Sequence, residues 1–130
     1  NGCGQHHVAD IGFHGAAMKG AGGQVPAYEF FVGGSYDDAD SRFGQRLKTK
    51  VPAKRAPEAV RGLLAFYKQS RRDGEPFKEF VDRVGAGSFE QVLEELNQIP
   101  ELNRETLPLY MDWDKTVKYA LERGEGECAI

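Results

Sequence analysis

The first part of the chain shows the period-two pattern of β-strands. Residues 9–18 are mostly small or apolar, with Ile11 and Phe13 on one face, and predict a first strand. A glycine-rich turn at residues 19–24 leads to residues 25–32, an aromatic and β-branched run that ends at a glycine pair. Two such runs around a short glycine-rich loop predict an antiparallel hairpin.

A third pattern follows an acidic loop. Residues 45–51 alternate between cationic side chains and apolar or small ones, which predicts a third strand that ends at Pro52. Its cationic face consists of Arg46, Lys48 and Lys50.

The spacing of apolar residues then changes to that of amphipathic helices. One helix is predicted to begin near Pro57 and to end at Asp73, and a second covers residues 76–84. Ser88 with Gln91 three residues later resembles a capping box and predicts the start of a third helix. The three apolar stripes comprise Val60, Leu63, Leu64 and Tyr67; Phe77, Phe80, Val81 and Val84; and Phe89, Val92, Leu93 and Leu96.

The last part of the chain has a mixed pattern. Residues 107–121 fit either a strand or an irregular arm packed on the body. The order of elements predicts an α+β fold, with an N-terminal antiparallel hairpin and a third strand, about three helices and an extended C-terminal arm. We divide the chain into a β-rich segment 1–55, a helical segment 56–99 and an arm 100–130, which together form one domain.

Composition and charge limit the function classes. The length of 130 residues suits one domain, and no apolar run is long enough to span a membrane. No secretory signal is evident, so we expect a cytoplasmic protein. The net charge of −3 hides an asymmetry, because residues 42–55 carry six bases and no acid, whereas residues 88–130 carry ten acids and four bases. The basic segment suits an anion, but it is short and lacks interleaved aromatic residues, which disfavours nucleic acid.

The cysteines and histidines are the first candidates for chemistry. Cys3 and Cys128 lie at opposite ends, and two thiols do not make a disulfide framework, so Cys128 is predicted to be an exposed thiol. Cys3 with His6, His7 and His14 could bind a soft or borderline metal ion. Their spacing matches no zinc signature, and on composition alone the simpler interpretation is that they are loop and surface residues.

The N-terminal segment carries a resemblance to a known family. Residues 1–15, Asn-Gly-Cys-Gly-Gln-His-His-Val-Ala-Asp-Ile-Gly-Phe-His-Gly, resemble the stretch around the last cluster cysteine of the sirohaem-containing nitrite and sulfite reductases. In that family the motif reads Cys-Pro-Asn-x-Cys. Further similarities follow in the same order at residues 28–34, 50–53 and 77–85, and the ending at residues 124–129 is similar to that of some members.

The resemblance implies a shared metal ligand. In this family four cysteines hold a [4Fe–4S] cluster, and the last of them, which Cys3 matches, also ligates the sirohaem iron. Asn1 matches the asparagine of the motif, whereas Gly2 and Gly4 would allow close approach and offer N–H groups to the sulfurs. The other cysteines would precede Asn1. We therefore expect a C-terminal piece of a longer enzyme, with no catalytic residue of its own, which is inactive and binds neither cofactor alone.

The implied activity belongs to that longer enzyme. It is an oxidoreductase that reduces sulfite to sulfide or nitrite to ammonia with six electrons. Its partners would be the upstream part of the same polypeptide and a ferredoxin or flavoprotein electron donor. Arg46, Lys48 and Lys50 then have three interpretations: a solvated face, contacts to the sirohaem carboxylates, or a docking patch for an acidic donor.

Two alternatives remain open. The chain could be a non-catalytic accessory or interaction domain, or a small metal-binding module that uses Cys3 and the nearby histidines. Exposed strand edges could also pair two copies into a homodimer.

Overall fold

The computed structural model describes residues 4–121 and begins its sheet with a long hairpin. Strand β1 (Ile11–Gly20) pairs antiparallel with β2 (Gly23–Val32) along its whole length. The predicted hairpin is therefore confirmed. The turn is only two residues long, because the ladder continues through the Lys19–Gln24 pair to Gly20 and Gly23.

The prediction of one continuous third strand over residues 45–51 is wrong. Two short strands stand there instead, β3 (Gln45–Arg46) and β4 (Val51–Pro52), and both pair antiparallel with β2. Arg46 lies opposite Phe31 and Val51 opposite Tyr28, so five steps along this segment match three steps along β2 and two residues are looped out. The loop keeps the Leu47 side chain buried in the core, which is why the alternation misled us.

Three helices follow, as predicted. They are α1 (Ala56–Ser70), α2 (Phe77–Val84) and α3 (Ala86–Leu93). A 3₁₀ turn, Ala53–Arg55, leads into α1, and another, Glu94–Asn97, continues α3.

Some helix ends differ from the prediction. Helix α1 ends at Ser70, three residues before Asp73. Helix α3 begins at Ala86, because Ser88 lies inside it and its hydroxyl donates to the Val84 carbonyl oxygen at 2.8 Å instead of capping a helix.

The helices cover one face of the sheet and form the core with it. The predicted apolar stripes of α2 and α3 lie in or against this core. On α1 the buried line passes through Ala56, Ala59 and Leu63, while Leu64 is 49% exposed. The small alanines are buried by close packing, a signal that a search for large apolar residues misses. The buried core residues are Phe30, Val32, Leu47, Val51, Ala56, Ala59, Leu63, Phe77, Phe80, Val81, Phe89 and Leu93.

The arm after α3 is irregular and packs against the hairpin tip. It contains a 3₁₀ turn, Leu107–Tyr110, whose Tyr110 side chain is fully buried. The Tyr110 hydroxyl donates to the Pro100 carbonyl oxygen at 2.8 Å and accepts from the Gly22 N–H at 3.4 Å. Lys118 Nζ donates to the Gly22 carbonyl oxygen at 2.6 Å. The arm therefore fastens the tip of the hairpin. Across residues 4–121 no helix is both long and apolar enough to cross a membrane.

Candidate functional site

The residues directly after Cys3 form a short 3₁₀ turn, Gln5–His7, that is seated on the sheet. Two glycines of the sheet region allow this contact. A Cβ at Gly12 would lie 2.7 Å from the His6 carbonyl carbon, and one at Gly34 would lie 2.8 Å from the His7 carbonyl oxygen. The Gly44 N–H also donates to that His7 oxygen at 2.6 Å. The turn is thus held against the sheet through backbone atoms, which a larger residue would push away.

The turn covers the face of the sheet opposite the helices. His14, Glu29, Phe31 and Arg46 share this face, because His14 pairs with Glu29 and Arg46 with Phe31 in the ladder. We call it the histidine face. The rings of His6 and His7 lie 5.0 and 4.9 Å from that of Phe31, which is only 4% exposed. The two imidazole rings thus cover the Phe31 ring, and they contact each other with their centroids 4.1 Å apart.

Two ring nitrogens on the histidine face, one of His6 and one of His14, are buried without a partner in the described part of the chain. Within the described residues, His6 Nε2 and His14 Nδ1 accept or donate no hydrogen bond. The two rings stand edge to face with their centroids 4.6 Å apart. Burial, and then the neighbouring His7 and His14, lower the pKa of His6, so its imidazole is neutral at pH 7. Buried polar atoms are normally paired, so these two are suited to a group from outside residues 4–121.

A carboxylate organises the charges on the histidine face. Glu29, whose side chain is 17% exposed, lies 3.5 Å from His14 Nε2, 3.9 Å from Arg46 Nη1 and 3.8 Å from Lys50 Nζ. The two permanent cations outnumber the one carboxylate, so a positive charge remains available to an anion.

The structure brings together some of the residues predicted for the site and separates others. Gly4 lies at the start of the turn with a φ of 77°, a conformation that glycine adopts readily. Arg46 and Lys50 meet at Glu29, as a shared cationic face requires. Lys48 has no ion pair with Glu29 among residues 4–121, and its backbone N–H donates to Glu90 Oε1 of α3 at 3.0 Å. The predicted site residues Asn1, Gly2 and Cys3, and also Cys128, lie outside the described residues.

Glu29 and Phe31 are the site residues that sequence reasoning missed. The available signal was that Glu29 is the only charged residue between Val25 and Gly34. The three histidines do come together, but no group of three His, Cys, Asp or Glu side chains within residues 4–121 is arranged to hold a metal ion.

Comparison with known proteins decides the family. Residues 1–101 match the family model of the nitrite and sulphite reductase 4Fe-4S domain. The chain belongs to this family. The resemblance drawn from the N-terminal motif is therefore confirmed, and the family match ends before most of the C-terminal arm.

Individual members of the nitrite and sulphite reductase family are similar at moderate identity. An assimilatory ferredoxin-dependent nitrite reductase of Haloferax mediterranei is 32% identical over 92 residues, which cover 71% of this chain and 16% of that protein. A ferredoxin sulfite reductase of Synechococcus elongatus is 32% identical over 94 residues, 72% of this chain and 14% of that protein. The structure of the Mycobacterium tuberculosis NirA protein superposes with a TM-score of 0.61 and 28% identity, over 67% of this chain and 16% of that one. The chain thus spans about one sixth of these relatives.

Proposed function

We propose that this chain is the part of a nitrite or sulfite reductase that supplies the last cluster cysteine, Cys3, and one wall of the sirohaem site. Membership of the family and relatives named as nitrite and sulfite reductases support this. The six-electron reduction of nitrite to ammonia or of sulfite to sulfide belongs to the longer enzyme. Some relatives are named for ferredoxin and others for NADPH, so the electron donor in this proposal is a ferredoxin or a flavoprotein that takes its electrons from NADPH.

The observation that carries the proposal is the histidine face. Cys3 directly precedes Gly4 in the sequence, and Gly4 begins the turn seated on that face. The face offers an excess of positive charge from Arg46 and Lys50 and two buried imidazole nitrogens without partners. Sirohaem carries eight carboxylates, and such a face fits an anionic, hydrogen-bonding group of this kind.

Each residue has a defined task in this proposal. When bound, the cluster and the sirohaem would supply the electron-transfer chemistry of the longer enzyme. The Cys3 thiolate would hold both metal centres, while the backbone N–H groups of Gly2 and Gly4 would donate to cluster sulfurs and Asn1 would order the loop. Arg46 and Lys50 would donate to sirohaem carboxylates. Lys48 is not given a task in this proposal, because among the described residues only Arg46 and Lys50 lie near Glu29.

The test is a Cys3→Ser substitution in the intact reductase that contains this chain. We expect the purified variant to lose the sirohaem absorbance and the cluster iron, because one of the four thiolates and the link to the haem are gone. Cys128→Ser is the matched control and should keep both. A Cys3→Ser enzyme with full sirohaem absorbance and full iron content would overturn the ligand assignment.

A further inference from the structure

We propose that Glu29 is a positioning residue, which holds Arg46 and Lys50 as a pair for an anionic group on the histidine face. The inference rests on the proposed function, since it takes that group to be a carboxylate of sirohaem.

The two carboxylate oxygens of Glu29 serve different neighbours. Oε1 faces both cations, at 3.9 Å from Arg46 Nη1 and 3.8 Å from Lys50 Nζ, whereas Oε2 faces His14 Nε2 at 3.5 Å. These partners come from β3, from the loop before β4 and from β1. Glu29 lies in the middle of β2, between them, so one side chain sets the relative position of three separate segments.

The two cations keep their hydrogen-bond donors free for a ligand. Neither is within hydrogen-bond distance of Glu29, and among the described residues Lys50 Nζ has only a 3.5 Å contact to the Ala17 carbonyl oxygen. Arg42 is a contrast, because it donates to a carboxylate and two backbone carbonyl oxygens at 2.9 to 3.2 Å. Arg42 therefore has a structural role, because its N–H groups are used in hydrogen bonds. Glu29 attracts Arg46 and Lys50 electrostatically and leaves their N–H groups available to a ligand.

Glu29 also determines which nitrogen of His14 carries the proton. A carboxylate beside Nε2 favours the tautomer protonated at Nε2, and Nδ1 is then left with its lone pair. That Nδ1 is one of the two buried nitrogens without a partner. A carboxylate only accepts hydrogen bonds and gains nothing from this lone pair, so the donors that the face offers to an anion are those of Arg46 and Lys50.

The direction in which one substitution changes the sirohaem affinity distinguishes a positioning role of Glu29 from a purely electrostatic one. Glu29→Gln removes a negative charge near the bound anion, so charge alone predicts tighter binding. If Glu29 positions the cations, the same change releases two mutually repelling side chains and weakens binding. The expected loss is on the order of threefold to tenfold in sirohaem affinity, the size of one or two partly exposed ion pairs.

The experiment uses the intact reductase in four variants, Glu29→Gln, Arg46→Gln, Lys50→Gln and Glu75→Gln. Sirohaem retained per polypeptide is measured from absorbance after dilution and gel filtration at rising salt concentrations. We expect the first three variants to release sirohaem at lower salt than wild type. Glu75→Gln is the matched control, because it breaks an ion pair on the helical side and should lower the melting temperature without changing retention. Glu29→Asp should recover part of the loss, because the charge is restored.

Each outcome decides the inference. Retention equal to or above wild type in Glu29→Gln overturns it, and so does an equal loss in Glu75→Gln, since general destabilisation would then explain both. If Glu29→Gln fails to fold, Glu29→Asp takes its place, because the shorter side chain draws the carboxylate back from both cations and should release sirohaem at lower salt than wild type. Wild-type retention in Glu29→Asp would then overturn the inference. The proposed function is tested separately, because only full sirohaem absorbance and iron content in the Cys3→Ser enzyme would contradict it.

Discussion

Replacing Gly12 with alanine tests whether the Gln5–His7 turn is seated on the sheet in the way the structure shows. The new methyl carbon would lie 2.7 Å from the carbonyl carbon and the Cα of His6, and closer still to its carbonyl oxygen. All three are backbone atoms, so no rotamer change relieves the overlap. The turn must move away from β1 by about 1 Å, and Gly4 at its start must move with it.

The expected cost of this substitution follows from two opposing effects. Alanine is better than glycine in a strand by about 0.5–1 kcal/mol, because the unfolded chain loses less entropy. Overpacking typically costs about 1–3 kcal/mol. The shift of the turn also weakens the hydrogen bond from the Gly44 N–H to the His7 oxygen, and losing such a bond costs roughly 1 kcal/mol. We therefore expect Gly12→Ala to lower the free energy of unfolding by about 1–3 kcal/mol.

The assay compares denaturant unfolding of this variant with Gly15→Ala, a matched control on the same strand. A Cβ at Gly15 would meet nothing within 4 Å, so that variant should be as stable as wild type or more so. In the intact reductase, Gly12→Ala should also reduce sirohaem content, whereas Gly15→Ala should not. Equal stability of the two variants would refute the seating of the turn on β1.

Two further predictions concern the arm and the helices. Tyr110→Phe removes the hydroxyl bonded to Pro100 and Gly22 and should cost about 1–2 kcal/mol in thermal unfolding, and an unchanged melting temperature would mean that the arm does not hold the hairpin tip. The Arg83 guanidinium lowers the pKa of Glu75 to about 2, so this ion pair stabilises the fold above about pH 4.5 and the stabilisation is lost as the pH falls towards 2. Glu75→Gln should therefore be less stable than wild type at pH 7, and denaturant titrations should show that difference disappearing near pH 2. A difference that stays constant with pH would contradict it.

The parts of the fold that follow local rules could be predicted from the sequence. The hairpin and the three helices were, because their apolar spacing and the glycine and proline residues at their ends act over a few positions. The third strand was not. Leu47 and Val51 are both buried, as the alternation indicated, but the two looped-out residues depend on the register with β2 and on Glu90, which is 42 positions from Lys48. No local pattern contains that information.

The candidate site shows the same division. Arg46 and Lys50 were recognised from their own pattern, and the structure brings both to Glu29. Glu29 itself was missed, because within β2 it is an isolated carboxylate whose partners lie 15 to 21 positions away. Lys48 was assigned to the same face by alternation, which stays a prediction, and its backbone N–H bonds to Glu90 in the looped-out stretch.

The histidine face carries a cost that the helical face does not. Each buried nitrogen without a partner, on His6 and on His14, costs about 1–3 kcal/mol relative to a paired one. The cover over Phe31 could be built from apolar rings without that cost. A group that pairs with both nitrogens removes the penalty and so binds the folded chain in preference to the unfolded one. Stability and retention of such a group would therefore be coupled at this face, because the group would recover the free energy that the two nitrogens, unpaired within residues 4–121, cost the uncovered chain.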